Sequence, residues 1–542
     1  MNFLNKLGLG KNKTPSKSTH SAVQEPVVAP ASPTMDVLTT LRNAIELHQN
    51  GQLAQAQLMY EDILATEPDH ADALHYLGLI AIQSNDHQRG VDLIGKAIAI
   101  NSGHFGYYVN YGNALKQLRQ LDAALTSLDQ AIAIKPDVAA AYAIRGNILL
   151  ELNQFDAAIA SFDKALAIEP HDNEAWFYRG NALKNLHQLE AAVDSFERAI
   201  AIKPDFAEAF VNRGLAMQEL KQFDAAVASF GDAIAIKPDF AEAFFNRGLA
   251  LQELTPQHDA TLDEAIRMFD RACQLLPDGP GQHLRHAGAL AKAKRFEEAE
   301  AAARRALAAD PIDSMGANMF LAGLGAEPMP ERISDAMLQT LYTARASTWD
   351  SKENAHYQGA ALVGNALVGM QRPNSIGVLD AGCGTGLVGT VVRAHVRRLD
   401  GVDMSQPMLD RALEKGVYDT LSCGDMIAFL KQDPEKYDAV LSAATLIHFG
   451  SLRLIFEAAA IALRQNGLFI FTVFPNEKDP TGFAVDHLDG MAQGGCYVHG
   501  RDYLMGLAAE TGFKVERFET KIHEYESTGS PKMCLLVTLS RY

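Results

Sequence analysis

The sequence predicts two folds in series: an all-α superhelical solenoid of helix pairs, then an α/β domain on a mostly parallel sheet. Three observations carry this. A 34-residue period runs through the first half, short apolar runs alternate with helical stretches in the second, and a glycine loop closes the first of those runs. A chain of 542 residues has room for two to four domains. Its 48% hydrophobic and 21% charged content excludes wholesale disorder. The net charge is −18, and residues 35–332 hold 25 basic against 41 acidic side chains, which disfavours a nucleic-acid partner. No run of about 18 apolar residues predicts a membrane span. Five scattered cysteines without a CxxC pair point to a reducing, cytoplasmic setting and against a disulfide or zinc framework; no metal site is expected.

Residues 1–36 hold Lys6, Lys11, Lys13, Lys17 and four prolines, with almost no bulky apolar residue after Leu9, and read as a disordered tail. Residues 37–313 read as about eight repeats. Glycines stand at Gly78, Gly112, Gly146, Gly180, Gly214 and Gly248, and prolines at Pro68, Pro136, Pro170, Pro204 and Pro238. Between them fall Ala124, Ala158, Ala192 and Ala226, then Leu128, Phe162, Phe196 and Phe230. Small residues mark close helix contacts, a large residue fills the gap opposite, and proline stops the second helix. The seventh unit is stretched at Thr255–Ala260, and the eighth has Ala287 in the glycine column, as suits a terminal cap. The pattern resembles the tetratricopeptide repeat (TPR). That resemblance implies a concave surface that binds a protein or peptide. Arg145, Arg179, Arg213 and Arg247, with Asn113, Asn147, Asn181, Asn212 and Asn246, either bind such a peptide or are solvated side chains duplicated with the repeat. The asparagine columns are similar to those in the repeat arm of O-GlcNAc transferases.

Residues 314–332, with Gly316, Gly323, Gly325, Pro328 and Pro330, read as a linker before a domain at 333–542. Ile376–Leu379, Leu399–Val402, Ala439–Ser442 and Leu468–Val473 read as buried strands, with helices at Met408–Glu414, Ser451–Leu463 and Tyr503–Glu510 between them. The first strand runs into Asp380-Ala381-Gly382-Cys383-Gly384-Thr385-Gly386, glycines at alternate positions where open α/β sheets bind cofactors. Asp403 ends the second strand, placed to accept ribose hydroxyls, and Asp425 follows the third, placed to accept from an adenine amine. A dinucleotide fingerprint needs a third glycine where Leu387 stands. The loop instead resembles motif I of class I S-adenosylmethionine-dependent methyltransferases, D-x-G-x-G-x-G, over residues 333–542. That resemblance implies a Rossmann-like, seven-stranded, mostly parallel sheet. It also implies S-adenosyl-L-methionine as cofactor. Gly382, Gly384 and Gly386 would approach its methionyl part, Asp403 its ribose, and Asp425 with Met426 its adenine, with Asp380, Met404 and Tyr357 completing the set. Tyr437–Ala443 and Tyr497–Leu504 are similar to bacterial TPR-containing methyltransferases, and residues 342–350 with Tyr357 to the segment that closes over the cofactor. Relatives commonly carry an aspartate where Ala444 stands.

Methyl transfer from a sulfonium needs in-line alignment and, for a protonated nucleophile, a base. His448, just beyond the fourth strand, is the candidate catalytic base, against the plainer reading of a histidine bonded to backbone. His487 and His499 read as surface histidines, and Tyr342 and Tyr357 pack on the cofactor or in the core. No N/D-P-P-Y, Pro-Cys or CxxxCxxC motif is present, which leaves an oxygen or nitrogen acceptor on a small molecule or a protein. The leading expectation is a methyltransferase with a protein-binding arm. The competing ones are an adaptor that keeps the fold as a cofactor-binding or structural module, and an arm that makes homo-oligomers.

Overall fold

The computed structural model of the chain describes residues 36–254, 259–350, 357–370, 375–486, 496–525 and 530–542. It divides after Leu254 into two compact units.

The first unit is a run of antiparallel helix pairs from Val37–Gln49 to Ala241–Leu254. In a typical pair, Ala139–Glu151 is followed by Phe155–Ile168. The turn within the pair passes through a left-handed residue, and this recurs at Arg119, Asn153, His187 and Lys221 with φ of 60°, 57°, 55° and 60°. The glycine column and the aromatic column form one contact. A Cβ on Gly146, Gly180 or Gly214 would lie 2.7, 2.6 or 2.7 Å from the ring of Phe162, Phe196 or Phe230, all three rings being fully buried. Packing at that density tolerates no added methyl group.

Three members of the arginine column are engaged within the repeats while staying partly exposed. Arg145 donates from Nε to Asp129 (2.8 Å) and from Nη1 to Ser161 (2.7 Å), bridging the second helices of adjacent pairs. Arg179 does the same with Asp163 and Ser195 (2.7 and 2.8 Å), and Arg213 bonds Ser229 at 2.9 Å. Of the asparagines, Asn212 accepts from Lys184 (3.0 Å), whereas the buried Oδ1 atoms of Asn147 and Asn181 have no partner among the described residues.

The second unit begins with the helices Asp259–Leu275, Pro280–Lys292 and Phe296–Ala309, with Ala287 fully buried in the glycine column. Residues 255–258 of the expected insertion lie outside the described residues. The expected linker is packed chain. Its helix Ala317–Gly323 sets Ala317 and Phe320 against Leu284 and Ala306. Met319 joins a buried cluster with Ile333, Met337, Leu338 and Tyr497, and the Tyr497 hydroxyl donates to the carbonyl of Pro330 at 2.5 Å.

The strands are β1 Gly377–Ala381, β2 Arg398–Asp403, β3 Thr420–Cys423, β4 Tyr437–Ser442, β5 Leu463–Pro475, β6 Phe483–Asp486, β7 Cys496–His499, β8 Phe513–Tyr525 and β9 Pro531–Arg541. The helices of this domain are α1 Asp335–Arg345, α2 Gly359–Gly369, α3 Leu387–Val392, α4 Gln406–Glu414, α5 Met426–Leu430, α6 Arg453–Ala462 and α7 Arg501–Glu510. Strands β3-β2-β1-β4-β5 are parallel, β9 pairs antiparallel with β5, and β8 with β9. Among the described residues the sheet has nine strands where seven were expected. Strand β5 outruns its register with β4, which ends at Phe471, and β7 of the β6–β7 hairpin pairs with its last residues, Phe474 and Pro475, beside the turn that follows β4. Every residue of β1 is buried, as a central strand covered on both faces requires.

Candidate active site

The carboxyl ends of β1, β2 and β4 open onto a cleft that is also lined by α1 and Tyr357. Helix α1 presents Asp335, Leu338 and Tyr342 to it, three residues at helical spacing on one face. Ser334 caps that helix by accepting from the Met337 amide at 3.1 Å.

The three glycines serve three different needs. All have positive φ, 77°, 53° and 89° for Gly382, Gly384 and Gly386. A Cβ on Gly382 would strike the Thr445 side chain at 2.2 Å, while one on Gly384 would meet nothing within 4 Å. Gly382 and Gly384 line the cleft. Gly386 does not: it is buried, and its Cβ would sit 2.9 Å from Tyr418 and 3.3 Å from Ala412. It packs the loop onto α4 and starts α3.

Asp380 likewise lies behind the loop, fully buried and outside the cleft lining, although its place in the motif suggested cofactor contact. Its Oδ2 accepts from the Tyr418 hydroxyl at 2.7 Å, and its Oδ1 has no partner among the described residues. Burial pushes its pKa up to about 7, against the lowering effect of the Tyr418 bond.

Asp403 holds the loop in place. Its Oδ2 accepts from the Gly384 amide and its Oδ1 from the Ser405 amide, each at 2.9 Å. Burial raises its pKa and these backbone bonds counter that rise. Asp403, Met404, Asp425, Met426 and Tyr357 all line the cleft. Asp425 caps α5 through the Ala428 amide (2.8 Å) and pairs with Arg332 at 3.0 Å. Arg332 also bonds Asp335 at 2.9 Å. Nothing in the sequence marked Arg332, because Asp425 lies 93 positions away, or Asp335, which reaches the cleft through Arg332. A further tie joins Asp350 to the loop: it accepts from Thr385 Oγ1 at 2.6 Å and from Lys415.

His448 lies on a short 3-10 turn, Leu446–His448, lines the cleft, and is 4% exposed. The side chain bonds no backbone group; its Nε2 is 2.5 Å from the Tyr342 hydroxyl. Burial, with Arg345 nearby, lowers its pKa to about 4. Ala444 lines the cleft at φ 58°, a left-handed conformation that aspartate or asparagine adopts more readily than alanine. His499 is not a surface residue. It is fully buried, with Nε2 bonded to the carbonyls of Phe449 and Gly450 at 2.8 and 3.1 Å, because β7 carries it into the sheet edge beside β5. His487 lies outside the described residues. Among the described residues no cluster of metal-ligating side chains occurs and no helix is long and apolar enough to cross a membrane.

Residues 379–471 match the family described as a methyltransferase domain. Residues 111–173 and 145–207 match the tetratricopeptide repeat, residues 219–254 a TPR repeat, and residues 49–131 the family of anaphase-promoting complex (cyclosome) subunit 3. A probable S-adenosylmethionine-dependent methyltransferase of Saccharomyces cerevisiae is 29% identical over 133 residues, 22% of this chain and 44% of the relative. A ubiquinone biosynthesis O-methyltransferase of Idiomarina loihiensis is 30% identical over 131 residues, 23% of this chain and 54% of the relative. The chain thus spans about half the length of the curated relatives it matches. Among solved structures, the TPR protein YrrB, described as having an unusual peptide-binding site, is 26% identical, covering 37% of this chain and 97% of its own, at a TM-score of 0.32. The chain joins tetratricopeptide repeats to a methyltransferase domain on a Rossmann-like α/β fold.

Proposed function

We propose that the second half binds S-adenosyl-L-methionine and transfers its methyl group to an oxygen or nitrogen acceptor, on a small molecule or a protein. The observation that carries this reading is the charge of the cleft. Three carboxylates, Asp335, Asp403 and Asp425, face one guanidinium, Arg332, and His448 is neutral, for a net charge of −2. Such a lining favours a cationic sulfonium and repels a pyrophosphate. The open side of Gly384 lets a ligand lie against bare backbone, and each Asp403 oxygen keeps a lone pair for a ribose hydroxyl beyond its bond to an amide.

In this reading Gly382 and Gly384 border the methionyl part, and Asp403 takes the ribose. Asp425, Met426 and Met404 surround the adenine, and Tyr357 covers the cofactor. Asp380 and Gly386 act from behind by shaping the loop. The bound donor supplies the methyl group and leaves as a neutral thioether. His448 takes the acceptor's proton. An oxygen acceptor draws support from the O-methyltransferase relative. The repeats at 37–313 bind a protein or peptide, with the asparagine column as its contact. The tail at 1–36 and the joining segment at 314–332 flank them. An acidic chain whose five cysteines form no disulfide fits the cytoplasm and no nucleic-acid partner.

The test is incubation of purified protein with methyl-labelled S-adenosylmethionine in a lysate, followed by location of the label. Calorimetry with S-adenosylhomocysteine runs beside it. Binding without transfer would favour an adaptor that keeps a cofactor-binding module, and absence of binding would end the enzyme reading and leave only an adaptor with a structural module.

A further inference from the structure

We propose that Trp349, flanked by Tyr342 and Tyr357, is the specificity-determining wall of the cleft: its ring face attracts the positive sulfonium of the donor, an attraction that the neutral thioether product does not share. This rests on the methyl-transfer reading above.

The segment that carries two of the rings runs along the cleft, and its ties fix what each part faces. Arg332 pairs with Asp425, just after β3, at 3.0 Å. Tyr342, on α1, meets His448 beyond β4, with its hydroxyl 2.5 Å from Nε2. Asp350, the residue after Trp349, accepts from Thr385 Oγ1 in the glycine loop at 2.6 Å and from Lys415. The segment thus passes from the side read as adenine-binding to the side read as methionyl-binding, and Trp349 stands at the latter. Tyr357 reaches the lining from just before α2, where the Gln358 amide donates to the His523 carbonyl at 2.7 Å. The rings of Tyr342 and Trp349 lie 5.7 Å apart at 67°, and those of Trp349 and Tyr357 6.4 Å apart at 63°. All three line the cleft. Rings so inclined make an angled wall, not a flat stack.

A cation taken out of water is costly unless something negative faces it. The lining carboxylates are engaged elsewhere. Asp335 and Asp425 share Arg332, and Asp403 bonds the amides of Gly384 and Ser405. Asp350 is outside the lining and is held by Thr385 and Lys415. Among the described lining residues, aromatic faces and backbone carbonyls remain to meet the sulfonium. An indole face is the best aromatic partner for a cation, and the attraction grows where water is excluded. His448 adds no opposing charge, since burial, with Arg345 nearby, lowers its pKa to about 4. Transfer leaves a neutral sulfur, so the attraction ends with the reaction and the wall does not retain the product.

Calorimetry of the full chain with S-adenosylmethionine and with S-adenosylhomocysteine reads this as a ratio of two affinities, whatever the acceptor. Trp349→Leu should weaken S-adenosylmethionine about fivefold to thirtyfold more than it weakens S-adenosylhomocysteine. Trp349→Phe, which keeps an aromatic face, should hold most of the wild-type ratio. A second measurement leaves the indole in place. The chain has two tryptophans, so in a Trp176→Phe background Trp349 is the sole one. Fluorinated tryptophans then drain electron density from its face at nearly constant shape. Affinity for S-adenosylmethionine should fall with each added fluorine, while that for S-adenosylhomocysteine stays within about twofold. A ratio unchanged by Trp349→Leu overturns the proposal, as does a fluorine series with no trend or the same trend for both ligands. If Trp349→Leu does not fold, the fluorine series decides. If the wild type binds neither ligand, the methyl-transfer reading itself fails, a result distinct from an unchanged ratio.

Discussion

Asp403 is where one substitution separates loop architecture from ligand recognition. Its carboxylate accepts from the amides of Gly384 and Ser405, both at 2.9 Å, and faces the cleft with its remaining lone pairs. Asp403→Ala removes both functions. A charged acceptor for a ribose hydroxyl pair contributes roughly 2–3 kcal/mol, so affinity for S-adenosylhomocysteine should fall by about 30- to 150-fold. The two amides left without an acceptor should also lower domain stability, by about 1–3 kcal/mol. Asp403→Asn keeps one oxygen acceptor and the volume of the side chain. It should recover most of the stability but only part of the affinity, because the charge is gone. Calorimetry and urea unfolding of both variants give the two quantities. Equal affinity for wild type and Asp403→Ala would refute the ribose assignment. Loss of affinity in strict proportion to loss of stability would mean that Asp403 acts on the loop alone.

Other outcomes follow from the same geometry. Gly384→Ala should weaken S-adenosylhomocysteine binding and lower the melting temperature only by the strain of φ 53°, since its Cβ meets nothing within 4 Å; Gly386→Ala, at φ 89° and 2.9 Å from Tyr418, should lower the melting temperature further. Gly180→Ala places a methyl group 2.6 Å from Phe196 and should destabilise the repeats by about 1–3 kcal/mol in urea titrations followed by circular dichroism, leaving cofactor affinity unchanged. A fragment starting at residue 255 should bind S-adenosylhomocysteine like the full chain, whereas one starting at residue 333 should melt lower, because it strips Met319 and Pro330 from Tyr497. Asp380 has its folded pKa raised to about 7, so between pH 7 and about 4 the native state holds a proton that the unfolded state lacks. Stability from this group grows as pH falls through that window. Asp380→Asn should therefore make the acid loss of stability steeper than wild type by about 1.4 kcal/mol per pH unit, measured by urea unfolding at several pH values; parallel curves would show that the carboxyl is not protonated early.

The solenoid was legible because its physics is local and repeated. A glycine and the aromatic sixteen residues later touch within one helix pair, so a single sequence period exposes the contact several times over. The alternation of strands and helices was legible for a similar reason, and the expected strands fall within one to five residues of the observed ends. The β6–β7 hairpin was not, since it pairs with the part of β5 that outruns β4, a mismatch of lengths that no window of sequence contains. The same limit explains His499, whose Gly-rich surroundings suggested a surface while its strand position carried it inside.

The motif itself shows how far a pattern reaches. Alternate glycines marked a loop at the carboxyl end of the first strand where a ligand could come close, and all three adopt positive φ. The pattern did not say which of them faces a ligand: Gly384 has open space beside it, while Gly386 is sealed by Tyr418 and Ala412. Likewise Asp380 and Asp403 each bear a carboxylate near a strand end, yet one lies buried behind the loop and the other borders the cleft. What assigns them is Tyr418, 38 positions from Asp380, and the Gly384 amide, 19 positions from Asp403. The pairing of Tyr342 with His448 spans 106 positions. A strand end fixes where a chemical group stands, and these long-range partners decide its charge and whether it faces a ligand. Chemistry at this site therefore depends on α1, which lies before the first strand of the sheet. Substitutions along that helix should alter proton transfer while leaving the glycine motif intact.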